Sequence, residues 1–405
     1  MVLTWVITRV IAVASIALTP RLLDDVDIYR GWLPYLRWAQ FPMSDEKWQY
    51  PPGAGAVLLG PGLLPISYPV AFAVMCLIVD AAILGSLVVH HSGRPGRPRS
   101  GLWLWSVAAL VVGPIMYVRF DIVPAFFAVA FVIAASRPAL AGSSAALGFV
   151  VKVWPVFLLI ALPRSHWRRG AMSFAVTTAL VLLALAAKFD GIWSFLGNQR
   201  ARGLQVESTG ALPYELFALI RGPLRTGLEY GSYQVLMAGA EIVGTAVFVV
   251  GLMMTALIGW WRFSGRLDST PVGDVALTLV LVTVATSRVY SPQYNVWIVA
   301  VTAAALLSPR ARMKRVAAIL VAASILTQVI YPWFPFDLTD GNPPVVAVQA
   351  LRIVAIVSAT AMALREILMC APADPDILVQ APDESGSAPA EEAWTSYPAS
   401  RFRSG

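Results

Sequence analysis

Charge is scarce in this chain. Only 13% of its 405 residues are Asp, Glu, Lys or Arg, against about 25% in a soluble domain. Cysteine is nearly absent: Cys76 and Cys370 lie in or beside apolar runs at opposite ends of the chain, which excludes a disulfide framework. The histidines His90, His91 and His166 all stand beside Arg-rich turns, so no Cys/His cluster has metal-ligand spacing and no metal is expected. Lysine is rare too, at four of the 30 basic residues, a usage that suits a GC-rich genome. The net charge of +7 is not a nucleic-acid footprint, because it resolves into short loops between apolar runs.

What replaces charge is hydrophobicity, at 58% of residues with a mean hydropathy of +0.70. Runs such as "SFAVTTALVLLALAA" and "AGAEIVGTAVFVVGLMMTALIGWW" approach the roughly 20 residues of a membrane span. The N-terminal run lacks a basic leader and is interrupted by Arg9, with no small-x-small cleavage site before Pro20. It reads as a first span rather than a cleaved signal. The predicted fold is an all-α polytopic membrane protein of about 10–12 transmembrane helices.

Four short loops are dense in arginine: "HHSGRPGRPRSG" (90–101), "RSHWRRG" (164–170), "WRFSGRLD" (261–268) and "SPRARMKR" (308–315). The positive-inside rule places them in the cytoplasm. Segments 20–67 and 188–234 then become two large extracytoplasmic loops, and 139–163 becomes a pair of short helices meeting at "KVWP". Residues 1–370 form one transmembrane domain. The tail 371–405, rich in Pro, Ala, Ser and acids, is expected to be a disordered cytoplasmic tail.

Sorted by side, the outer segments carry many acids and, against the usual asymmetry, many arginines. Phosphate is the natural partner for such guanidinium groups. "YVRFDIVP" holds Arg119 and Asp121 at the membrane rim, with Asp121 set to orient Arg119, and "TSRVYSPQYNVW" holds Arg288, Tyr290, Gln293 and Tyr294 at another. Lys152 stands inside the apolar run "LGFVVKVWPVF", where an intramembrane cation is a functional-site candidate; its alternative is to snorkel to the interface. Asp80 and Glu241 lie within spans and are expected to be buried partners between helices. The segment "DDVDIYRGWLPYLRWAQ" forms an amphipathic helix with Asp25, Tyr29, Trp32 and Leu36 on one face. A second helix follows the double proline of "WQYPPGAGAVLLGPG". Asp24 and Asp27 read as solvated or helix-capping charges.

The elements "DVDIYRGW", "EKWQYPPGAG", "VRFDIVPA", "ALGFVVKVWP", "RGLQVES" and "SPQYNVW" occur in this order. Together they resemble glycosyltransferase family 87, membrane enzymes of the GT-C class that use polyprenyl-phosphate sugars. The resemblance implies a GT-C-like catalytic domain whose first outer loop, built of juxtamembrane helices, carries an essential Asp. Its D-x-x-x-Y pattern falls on Asp25 and Tyr29. Where some members have a histidine before the "RG-L-Q" element, this chain has Gln199.

The implied reaction is an inverting transfer of a hexose, mannose by resemblance, from polyprenyl phosphate to a cell-envelope glycolipid or lipoglycan. It would take place on the extracytoplasmic side of the plasma membrane, with the lipid-linked sugar as donor substrate, membrane lipids as surroundings and no certain cofactor. One-step inversion needs a general base and cations on the departing phosphate, but no general acid. With no histidine on the outer face, the base is a carboxylate, and Asp25 is the choice. Lys152, Arg119, Arg202 and Arg288 are the candidates for the phosphate. Tyr29, Tyr50, Asp121, Gln293 and Tyr294 are the candidates for sugar and acceptor. The alternative function, a polytopic transporter or lipid flippase, predicts midplane polar residues and broken helices in repeated halves; here the polar residues gather at one rim and no repeat is visible.

Overall fold

The structure, a computed structural model, describes residues 1–92 and 96–369. The proposed tail from 371 onward lies outside the described residues.

The chain opens with α1 (Val2–Ser15), continues as 3-10 turns, and bends by 99° into the segment that contains α2 (Asp24–Arg37). α2 buries Val26, Tyr29, Trp32, Leu33 and Leu36, the stripe expected from its spacing, and its three aspartates occupy the first turn, where negative charge suits the helix dipole. Asp24 and Asp27 are exposed, and Asp27 pairs with Arg30 at 3.1 Å. After Pro51-Pro52 comes α3 (Gly53–Leu59). A Cβ at Gly53 would strike the carbonyl of Val150, so glycine allows α3 to approach the end of a later helix closely.

Next come α4 (Tyr68–Ser92), α5 (Ser100–Val112), α6 (Ile122–Ile133), α7 (Pro138–Val151) and α8 (Arg164–Ala186). At the end of α5, Gly113 takes φ +81° and Gln328 Nε2 donates to the freed carbonyls of Leu110 and Val111, both at 2.7 Å. The chain can then turn inward through "YVRFD". α7 ends at Lys152, which is extended (φ −149°, ψ 138°), and a 3-10 segment, Trp154–Ala161, runs back toward α8. The expected pair of short helices meeting at "KVWP" is therefore present.

The second loop segment holds α9 (Phe195–Ala201), α10 (Leu212–Arg221) and a small hairpin, β1 (Thr226–Glu229) paired antiparallel with β2 (Ser232–Val235). Its turn residues Tyr230 and Gly231 have φ of 51° and 72°, the double positive φ that a two-residue hairpin turn requires. This hairpin is an addition to the all-α expectation. α11 (Ala240–Phe263), α12 (Val272–Ala285), α13 (Tyr294–Ala305), α14 (Lys314–Gln328), α15 (Pro335–Thr339) and α16 (Pro343–Leu368) complete the fold.

Among the described residues, five helical segments are long and apolar enough to cross a membrane: α4, α8, α11, α14 with its following turn, and α16. α1 joins them if its bent pair with α2 is one span. Five further apolar helices, α5, α6, α7, α12 and α13, have 12–14 residues. At 1.5 Å per residue they cover about 20 Å of a hydrocarbon core about 30 Å thick. Each ends in irregular backbone, which is tolerable at membrane depth only where protein or a cavity surrounds it. α12 and α13 are buried along nearly their whole length and form the centre of the bundle.

The Arg-dense turns meet at one end. His90, Arg97, Asp268 and Arg310 line one small pocket there, His166 Nδ1 sits 3.1 Å from the Ala135 carbonyl, and Arg312 reaches the carbonyl of Met369 at 2.9 Å. Near the first helices, Asp80 receives Arg9 (2.8 and 3.0 Å), Trp5 (3.2 Å) and Tyr117 (2.8 Å), which makes it the interhelical partner that was expected. Glu241 is not one: it is exposed in the first turn of α11, because that helix starts nearer to it than the apolar run suggested.

Candidate active site

At the end of the bundle away from the Arg-dense turns lies a cavity of about 950 Å³. It is walled by α2, the "WQYPP" stretch, the Arg119 turn, the Lys152 break, α9, the residues after α9, the hairpin, the α12–α13 turn and the segment before α15. Asp25, Tyr29, Tyr50, Arg119, Lys152, Arg202, Arg288, Gln293 and Tyr294 all line it, so residues spread over most of the chain converge. Gln199 lines it as well and donates to the carbonyl of Gln49 at 2.6 Å.

Two ion pairs organise the centre. Arg119 binds one oxygen of Asp25, and Lys152 binds Asp121. This corrects the expected roles of Asp121. It does not orient Arg119, and at 1% exposure behind Lys152 it is off the cavity wall and out of a sugar's reach. The reason is positional. Asp121 stands at the N-cap of α6 and turns inward toward the α7 break, whereas Asp25 on α2 meets the guanidinium from the other side.

Aromatic rings fix these charges. Lys152 Nζ lies over Trp297 (4.9 Å), Phe120 (5.2 Å), Tyr294 (5.5 Å) and Tyr50 (5.7 Å), a cage that favours a cation by ring quadrupoles. Tyr29, Trp32, Trp48, Tyr50 and Phe120 pack ring to ring at 4.9–6.1 Å beneath the Asp25 side. Burial pushes the Tyr50 phenol up from its ordinary value, so its hydroxyl stays neutral and able to donate.

Of the four basic candidates, Arg202 and Arg288 stand apart from the other two in one respect: among the described residues no carboxylate pairs with either. Arg202 donates to Ser232 Oγ at 3.1 Å, and its Nε has no partner. Arg288 donates to Thr245 Oγ1 at 2.9 Å and leans on the Arg202 carbonyl at 3.4 Å. Both arginines line the cavity, and among the described residues no carboxylate neutralises either guanidinium.

Several lining residues were not singled out by the sequence. Glu207 had been only one of many outer acids. Arg21, Lys47, Gln49, Gln205 and Tyr331 also line the wall. Behind Glu207, Arg352 of α16 is fully buried and 3.5 Å from its carboxylate. A cation inside the apolar run "LRIVAIV" is the same signal that marked Lys152, and it marks Arg352 equally.

A bundle of long and short apolar helices around an arginine-bearing cavity at one end defines a multi-pass membrane protein. The model of glycosyltransferase family 87 matches residues 48–292, more than half of the chain, and the chain belongs to that family. It is therefore a membrane glycosyltransferase. Asp25 and Tyr29 precede the matched stretch, and Gln293 and Tyr294 directly follow it. No curated protein matches the chain, and no solved structure does.

Proposed function

We propose that this glycosyltransferase moves a hexose, mannose by resemblance to its family, from polyprenyl phosphate to a hydroxyl of a cell-envelope glycolipid or lipoglycan. The reaction would run at the extracytoplasmic face of the plasma membrane, with inversion. The observation that carries this reading is the placement, around one cavity, of a positioned carboxylate (Asp25) and two arginines without carboxylate partners (Arg202 and Arg288).

In this scheme Asp25 accepts the proton of the acceptor hydroxyl. Arg119 holds one of its oxygens, and the other oxygen has no hydrogen-bond partner among the described residues. The acceptor oxygen forms a bond to the anomeric carbon from the face opposite the phosphate. The bond between that carbon and the phosphate oxygen breaks, and its electron pair leaves with polyprenyl phosphate. Arg202 and Arg288 meet the charge that grows on the phosphate. Tyr29, Tyr50, Gln293 and Tyr294 border the space for the sugar, and the Oε1 of Gln293 has no protein partner.

The test is transfer from labelled polyprenyl-phosphate mannose in membranes containing wild type or Asp25→Asn. Transfer at the wild-type rate by Asp25→Asn would remove Asp25 as the base. If wild type consumes no polyprenyl-phosphate sugar with any lipid acceptor extract, the donor class itself is wrong.

A further inference from the structure

Glu207 has an unusual setting. Its side chain keeps 12% of its surface, on the cavity wall. Oε2 accepts from Gln205 Nε2 at 2.8 Å, while Oε1 is shut off from solvent and makes no hydrogen bond, lying 3.5 Å from Arg352 Nη1. A carboxylate oxygen can accept two hydrogen bonds, so the more open Oε2 retains an acceptor site.

The support behind Glu207 is built independently of it. Arg352 donates from Nη1 to Gln349 Oε1 (3.1 Å) and from Nη2 to the Tyr290 carbonyl (3.0 Å), and its guanidinium lies 3.9 Å from the Tyr290 ring centre. It supplies charge to Glu207 without saturating it. On α10, Glu215 is fully buried, and neither of its oxygens has a hydrogen-bond partner. Among the described residues Arg352 ion-pairs with Glu207, and Glu215 stands near enough to feel both charges.

We infer that Glu207 is a sugar-binding carboxylate of the cavity that grips ring hydroxyls of the transferred or the receiving hexose, with Gln205, Arg352 and Glu215 as positioning residues. This rests on the reading that the cavity is the transfer site. A carboxylate accepts from two neighbouring hydroxyls at once, and such charge-assisted bonds are the strong ones. The charged and titratable groups that face Glu207 are Arg352 from α16, Glu215 from α10, Arg119 across the cavity and Tyr331 after α14. Burial pushes Glu207 up to about 7 and Glu215 up to about 8. Glu207 therefore accepts from hydroxyls as a carboxylate above neutral pH and loses that charge assistance as it protonates below it.

The test is quenching of the cavity tryptophans Trp32, Trp154 and Trp297 in the detergent-solubilised full chain. Three probes are titrated at pH 6 and pH 8: polyprenyl-phosphate mannose, bare polyprenyl phosphate, and octyl mannoside as an acceptor-like sugar. Wild type is expected to prefer at least one sugar-bearing probe, more at pH 8 than at pH 6. Glu207→Gln should lose about ten-fold or more of that sugar affinity, with no difference between the two pH values, and should bind bare polyprenyl phosphate as wild type does. Glu215→Gln should leave the pH midpoint of sugar binding in place, because Glu215, pushed up to about 8, is still protonated where Glu207 titrates. Whichever sugar probe loses affinity identifies donor or acceptor as the ligand. If wild type shows no sugar preference, or if Glu207→Gln keeps wild-type affinities and their pH course while only its thermal midpoint falls, the inference is overturned. If wild type binds the sugar probes as described but transfers nothing, the transfer reading fails and the sugar grip stands.

Discussion

The Asp25 carboxylate on α2 is ion-paired with the Arg119 guanidinium in the turn before α6, at the wall of the cavity. The pair joins the first loop to the turn between two short helices and leaves one carboxylate oxygen without a partner among the described residues.

Asp25→Asn is predicted to lower kcat by about 10²–10⁴-fold, the usual contribution of a general base. Arg119→Ala is predicted to lower it as well, because the carboxylate loses its anchor. Arg119→Lys should recover only part, since an ammonium cannot reproduce the guanidinium fork. Initial rates at saturating donor check this; an Arg119→Ala enzyme with wild-type kcat would show that the pair has no part in the reaction.

Arg202→Ala and Arg288→Ala are each predicted to raise the donor KM by about ten- to a hundred-fold, the worth of a charge-assisted hydrogen bond. The acceptor KM should change little. Equal effects on both substrates would place the phosphate elsewhere.

Lys152→Met is predicted to destabilise the fold by about 3–5 kcal/mol, because it leaves the buried Asp121 carboxylate unpaired. The double variant Lys152→Met with Asp121→Asn removes both charges and should recover most of the thermal midpoint. Midpoints in detergent, compared as a double-mutant cycle, measure the coupling. An unchanged midpoint in Lys152→Met would mean that the pair contributes nothing to the fold.

The buried Glu215 predicts a pH dependence of stability. Its carboxyl is raised by burial to about 8, against an ordinary value near 4.5. Between those values the folded chain holds a proton that the unfolded chain has released, so stability falls as pH rises, by about 1.4 kcal/mol per pH unit from this group alone. Below about 4.5 both states are protonated and the contribution is fully present. The thermal midpoint of wild type should drop from pH 5 to pH 8, and Glu215→Gln should flatten that slope. Parallel slopes for the two proteins would contradict it.

Much of the fold was legible because membrane burial imposes simple rules on sequence. The stripe Tyr29, Trp32 and Leu36 foretold α2 and its buried face. "KVWP" foretold the break at Lys152, since Trp154-Pro155 cannot continue a helix there. The length of the short helices was harder to read: an apolar run does not reveal how much of it is helix and how much is 3-10 or extended backbone around a cavity. α12 and α13 look like spans in sequence and are central struts in the structure.

The site divides along the same line. Composition and loop charge by themselves determined that the chain crosses a membrane and that its polar residues gather toward one side. The ordered motifs pointed to the family and held eight of the nominated residues that line the cavity, and the charge at the membrane rim added Arg288. Only the tertiary structure decided which charges meet. Asp121 and Asp25 carry the same group, and no local pattern tells which will face Lys152 and which Arg119; helix packing over long sequence separations sets that. Glu207 became distinct from the other outer acids only when α16 brought Arg352 behind it and α10 brought Glu215 beside them. Pairing of buried charges depends on distances of a few ångströms, and those are a property of the packed bundle rather than of any segment within it.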